Sequence, residues 1–140
     1  MKRRWGCLAV VLVPLVGLFF LIMTPVWRDD ARLDALLQKA VSYPRPPHTR
    51  DFHHRHDATS GHNMSGGGGD YCEYRVRITM LTTLPPQEIR DHYSKAQIPG
   101  FQNDVMVSVY FKDPESGGSQ FIVEFNDYYR NIWDLFCGAL

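Results

Sequence analysis

The sequence holds only three cysteines, Cys7, Cys72 and Cys137, and no two stand at the Cys-x-x-Cys spacing of a redox or zinc motif. A surplus of basic residues is also lacking. Lys plus Arg and Asp plus Glu number 15 each, and setting aside Lys2, Arg3 and Arg4 leaves 12 basic against 15 acidic side chains, a formal charge of −3. No basic patch is present to hold phosphates, so no nucleic-acid partner is expected. Nor is there a phosphate-cradling loop, because Gly66 to Gly69 follows no strand and opens no helix. Ser94 and Ser108 have no nucleophile-elbow context. The carboxylates of Glu73, Glu88, Glu124, Asp127 and Asp134 show no recognisable pairing, and His92 stands alone on a helix. The chain is therefore expected to be no enzyme and to hold no cofactor.

What is present is dominated by the N-terminus. Residues 1–27 open with Lys2, Arg3 and Arg4 and continue from Trp5 to Trp27 without a charged side chain. As a helix that run would span roughly 34 Å, enough for a hydrocarbon core of about 30 Å. Trp5 and Trp27 fall at its two ends, where indole favours the headgroup layer. The run is longer than a secretory h-region, and Thr24-Pro25-Val26-Trp27 offers no small-x-small cleavage pattern, so an uncleaved signal anchor is the expectation. Basic residues before the run and Arg28-Asp29-Asp30 after it place the N-terminus in the cytoplasm and the remainder outside. Pro14 and Pro25 can kink the helix or end it, although membrane helices tolerate isolated prolines.

An extracytoplasmic location gives Cys72 and Cys137 a meaning as a disulfide. Closing a loop of about 65 residues stabilises a small core by roughly 4 kcal/mol on the chain-entropy model. Residues 28–43 form an amphipathic helix, capped by Asp29 or Asp30, with Leu33, Leu36, Leu37, Ala40 and Val41 at helical spacing. Tyr43-Pro44-Arg45-Pro46-Pro47 ends it.

Residues 44–69 shift to Pro, His, Ser and Gly and read as a mobile linker, with a short edge strand near Thr49 to His56. His48, His53, His54, His56 and His62 are candidate zinc or copper ligands, because imidazole binds both. The segment lacks an evident scaffold to fix them, and an adventitious solvated tract is the competing reading.

Residues 70–140 carry the folded domain. Cys72, Tyr74, Val76, Ile78 and Met80 alternate with polar residues, predicting a strand with one buried face. Pro85-Pro86 opens a helix with Ile89, Tyr93 and Ala96 on one face, and Ile98-Pro99-Gly100 stops it. Val105, Val107, Val109 and Phe111, then Phe121, Val123 and Phe125, predict a hairpin, and residues 132–137 predict a short final strand. The class is α+β, a three- to four-stranded sheet with one packed helix in β-α-β-β order. Tyr110, Tyr128 and Tyr129 are the candidates for a partner-binding surface, since exposed aromatics mark contacts.

The basic leader, Gly6, an apolar helix running into an amphipathic one and a sheet with a C-terminal disulfide resemble the layout of type IV pilins. Such pilins carry a glutamate where this chain has Val11, and Pro25 with the His-rich segment interrupts the continuous helix, so the chain is not assigned to that family. Three function classes follow in order. The first is a membrane-anchored accessory or binding module of a bacterial cell envelope with a protein or envelope component as partner. The second is a metal-handling or sensing protein using the histidines. The third is an envelope enzyme.

Overall fold

Helix α1, Lys2–Ser42, runs through the apolar run and the amphipathic segment as one piece. The computed structural model describes residues 2–62, 71–112 and 120–130. No helix end falls at residue 27, and Pro14 and Pro25 lie inside this 41-residue helix. Each proline removes one backbone donor but leaves the neighbouring turns of the ladder intact, which apolar helices tolerate. Next to Pro25, Thr24 turns its hydroxyl back onto the Phe20 carbonyl at 2.6 Å.

The two halves of α1 have opposite surroundings. From Leu12 to Ile22 large apolar side chains face outward, with Leu21 at 75% exposure. Beyond Trp27 the helix packs on a sheet: Asp29, Leu36 and Ala40 are buried, and Leu33 and Leu37 lean on the core. Their spacing of three to four residues is what turns one stripe of a helix toward a core.

The sheet has four strands among the described residues: β1 (Thr49–His62), β2 (Cys72–Thr82), β3 (Met106–Lys112) and β4 (Gln120–Tyr129), in the order β1-β2-β4-β3. Every neighbouring pair is antiparallel. The expected β3–β4 hairpin is present, and β2 runs parallel to β3 with β4 between them. Helix α2 (Pro86–Tyr93) bridges β2 and β3, making a split β-α-β unit. Proline at its first turn and Glu88 near its positive end favour the start of α2. The α+β class therefore holds, with a further strand ahead of the expected order.

That further strand corrects the linker. Residues 49–62 pair with β2 from Thr49↔Thr82 to His62↔Cys72, interrupted by a bulge between Asp51 and His56. The composition is poor in strand formers, and the strand state comes from the partner edge that β2 offers. A mobile tether from 44 to 69 is not the arrangement, because most of that span belongs to the sheet. Gly66 to Gly69 and the expected strand at 132–137 lie outside the described residues.

The core lies between the sheet and the two helices. Tyr74, Val76, Ile78 and Met80 of β2, Phe121, Val123 and Phe125 of β4, Ile89 and Tyr93 of α2, and Leu36 of α1 are all buried. The alternation read for β2 and β4 is observed on this face, and Ala96 packs at its margin.

Candidate functional site at the helix–sheet junction

Where α1 leaves its exposed apolar half, a polar cluster ties it to the sheet. Tyr74 Oη donates to Asp29 Oδ1 at 2.6 Å. Arg32, one turn further along α1, reaches the same hydroxyl at 3.3 Å and Asp29 Oδ1 at 3.5 Å. Its guanidinium lies 3.6 Å from the centre of the Tyr129 ring and 5.8 Å from that of Phe101. Burial, and then the bond to Asp29, raise the Tyr74 phenol above the usual tyrosine range. Asp29 Oδ2 is buried with no hydrogen-bond partner among the described residues.

The turn at residues 99–104 is clamped into the same junction. Its backbone closes through Gly100 N to Asn103 O at 3.0 Å and Val105 N to Ile98 O at 2.8 Å. Lys39 Nζ donates to the Pro99 carbonyl at 2.7 Å. The Phe101 amide donates to Asp127 Oδ2 at 3.0 Å, and the Tyr128 amide to Asp127 Oδ1 at 2.8 Å. A Cβ on Gly100 would stand 2.2 Å from Asn103 O and 2.6 Å from Asp127 Oδ1, so the turn needs glycine for close approach. Burial raises the Asp127 carboxyl, outweighing these amide bonds and the charge of Lys39, which act the other way.

The opposite face of the sheet carries a second polar network. Arg77 stands directly across from Glu124 and Arg75 across from Asn126. Arg77 Nε donates to Glu124 Oε2 at 2.5 Å, Asn126 Nδ2 to Glu124 Oε1 at 2.8 Å, and Arg75 Nη2 to Glu73 Oε1 at 2.6 Å. Burial works to raise Glu124, but the bonds from Asn126 and Arg77 and the nearby guanidinium charges prevail and lower it. These carboxylates converge, as spacing alone did not reveal, yet each is engaged by a fixed donor. Opposite charges facing each other across neighbouring strands are a normal stabilising element of a sheet.

The candidates read from sequence are dispersed. Tyr110 is exposed on β3, its hydroxyl 3.4 Å from Glu124 Oε1. Tyr128 packs edge-on against Tyr71 at 5.4 Å on one face of β4, and Tyr129 lies beneath Arg32 on the other. Three tyrosines thus occupy separate surroundings. His56 pairs with Ile78 and His62 with Cys72, six residues apart on one strand and so about 20 Å. His48 precedes β1 in the left-handed region at φ 55° and borders an open depression of about 610 Å³ with Arg50 and Thr82. His53 and His54 belong to β1, and their side chains are outside the described residues. Among the described residues no three His, Cys, Asp or Glu side chains gather as a metal site. Outside the tract, His92 is drawn into the fold, with Nε2 2.9 Å from the Pro44 carbonyl. Cys72 is buried and disulfide-bonded, and Cys137, its expected partner, lies outside the described residues.

Compared with protein-family models, curated proteins and solved structures, the chain matches none. Sequence gives the junction residues other roles: Asp29 is a helix-cap candidate, Tyr74 belongs to the buried face of a strand, and no pattern marks Arg32. Their only sequence signal is a charged pair just beyond an apolar run.

Proposed function

We propose that this chain is a membrane-anchored, non-enzymatic binding or accessory module of a bacterial cell envelope, with its sheet domain outside the cytoplasm. One observation carries the reading: α1 exposes apolar side chains from Leu12 to Ile22 and then, without a break, enters the domain core at Leu36 and Ala40. The exposed half is long and apolar enough to cross a bilayer. Lys2, Arg3 and Arg4 on the near side favour a cytoplasmic N-terminus. A Cys72–Cys137 bond suits the oxidising side of the membrane.

This placement makes the domain a rigid extension of its anchor. The junction of Asp29, Arg32 and Tyr74 holds the sheet close to the end of the apolar run, so the domain does not hang from the flexible tether expected at residues 44–69. A module held in this way would present β3, with Met106 and Tyr110 exposed, to a neighbouring envelope protein. Binding in place of catalysis is supported by Glu73, Glu124 and Asp127 being committed to arginine, asparagine and backbone donors. The metal-handling alternative has no comparable support from the separated His56 and His62.

Full-length protein carrying a C-terminal reporter that is active only outside the cytoplasm tests the reading, together with alkaline carbonate extraction and a photo-crosslinker at position 110. The expected result is an active reporter, retention in membranes and a discrete crosslinked protein. An inactive reporter with full-length protein present, or release by carbonate, overturns it.

A further inference from the structure

We infer that the end of the sheet bearing Tyr71, Tyr128 and Tyr129 rests in the phospholipid headgroup layer, so that the domain lies on the bilayer that its helix crosses. The inference depends on the anchor proposed above. Asp29 is two residues past Trp27, about 3 Å of helical rise. It is bonded to Tyr74, the third residue of β2. Arg32 covers the ring of Tyr129, the last residue of β4, at 3.6 Å. The start of β2 and the end of β4 therefore stand at the level of the first helical turn beyond the apolar run.

The polarity of packing agrees. Tyr43, just past the far end of α1, lies 5.8 Å from Tyr93 and 6.4 Å from Phe125, four residues up β4 from Tyr129. The sheet thus rises away from the apolar half of α1, and Thr49 and Thr82 mark its far end.

The chemistry of the near end fits headgroups. Tyr71 and Tyr128 pack edge to face at 5.4 Å and are both half-buried. Such rings sit with their bodies among glycerol and acyl carbonyls and their hydroxyls in water. Gln102 pins the backbone of Arg130 with two bonds of 2.9 Å, and the Arg130 side chain is exposed at this end. Arg28 and Asp30 are both exposed on the adjoining helical turn, which therefore adds no net formal charge, and the aromatic rings carry the contact. A zwitterionic phospholipid surface is sufficient as the partner.

The test uses the full chain in phosphatidylcholine nanodiscs, labelled in one sample with fluorotyrosine and in another with fluorophenylalanine. Resonances are assigned by single Tyr→Phe and Phe→Leu variants. A nitroxide on the lipid headgroup should broaden Tyr71, Tyr128 and Tyr129 several-fold more than Tyr43 and Tyr110, while a nitroxide at the acyl-chain centre should broaden Phe19 and Phe20. Equal broadening of near and far tyrosines, with Phe19 and Phe20 still broadened, overturns the headgroup contact and leaves the anchor standing. Failure to broaden Phe19 and Phe20 overturns the anchor and the contact together.

Discussion

Tyr74 on β2 and Asp29 on α1, forty-five residues apart in sequence, share a 2.6 Å hydrogen bond that fixes the helix to the sheet at the point where the apolar run ends. Both side chains are buried, and Arg32 approaches the same hydroxyl. Replacing Tyr74 with Phe keeps the ring and leaves buried Asp29 Oδ1 without its phenolic donor, at an expected cost of about 2 kcal/mol. The double variant with Asp29→Asn should cost less than the two single changes added together. Denaturant unfolding of the full chain in detergent measures both. In an alkaline titration followed by absorbance, Tyr74 should ionise above the usual tyrosine range, because burial and the Asp29 bond hold its proton.

Gly100 is the tightest backbone position in the junction. Its missing Cβ leaves room for Asn103 O and the Asp127 carboxylate, and both would be struck by a methyl group. Gly100→Ala should destabilise by about 1–3 kcal/mol, the range for overpacking. Because the displaced turn holds the Phe101 amide against Asp127, hydrogen exchange at Phe101 should accelerate while Val76 and Val123 amides in the sheet centre change little. Uniform acceleration across the sheet would contradict a local clash.

Much of the sheet was legible because β2 and β4 turn their apolar side chains to one face: Cys72, Tyr74, Val76, Ile78 and Met80, and Phe121, Val123 and Phe125. β1 was legible only as a fragment near its start. Its histidines, glycine and serine have weak strand preference, and pairing with β2 decides their conformation. The continuous helix was obscured by Pro14 and Pro25, whose cost is local and is absorbed by the surrounding turns. The polar sites were least visible. Glu73, Glu124, Asn126 and Asp127 look like solvent-facing positions in a local pattern or end a strand unremarkably, and their burial depends on partners from other elements.

Glu124 and Asp127 should give stability opposite pH dependences. Glu124 is lowered in the folded chain, so the unfolded chain binds more protons in its window. Its contribution is full above the usual glutamate value of about 4.3 and is lost as pH falls through the lower folded value. Asp127 is raised, so the folded chain binds more protons, and stability declines as pH climbs from about 3.9 through its folded value. Glu124→Gln should flatten the acid limb of a stability profile, and Asp127→Asn should flatten the decline above it. Carbon-detected NMR of the two carboxyls, with Asp127 titrating above Glu124, checks the assignment directly.

The halves of α1 should respond to substitution in different assays although they form one helix. Leu18 is 54% exposed and touches no core, whereas Leu36 is 1% exposed within it. Leu18→Arg places a charge in the middle of the apolar run, at a cost of about 3 kcal/mol for insertion. It should shift full-length protein from the membrane fraction to the soluble or aggregated one. In detergent, the same variant should unfold at the parent denaturant midpoint, since the sheet does not contact Leu18. Leu36→Ala should do the reverse: membrane retention is unchanged, and the midpoint falls by an amount equivalent to about 2–5 kcal/mol through the cavity it opens. If Leu18→Arg lowered the midpoint as much as Leu36→Ala, the exposed half would be part of the domain core, and the division of this helix between bilayer and sheet would fail.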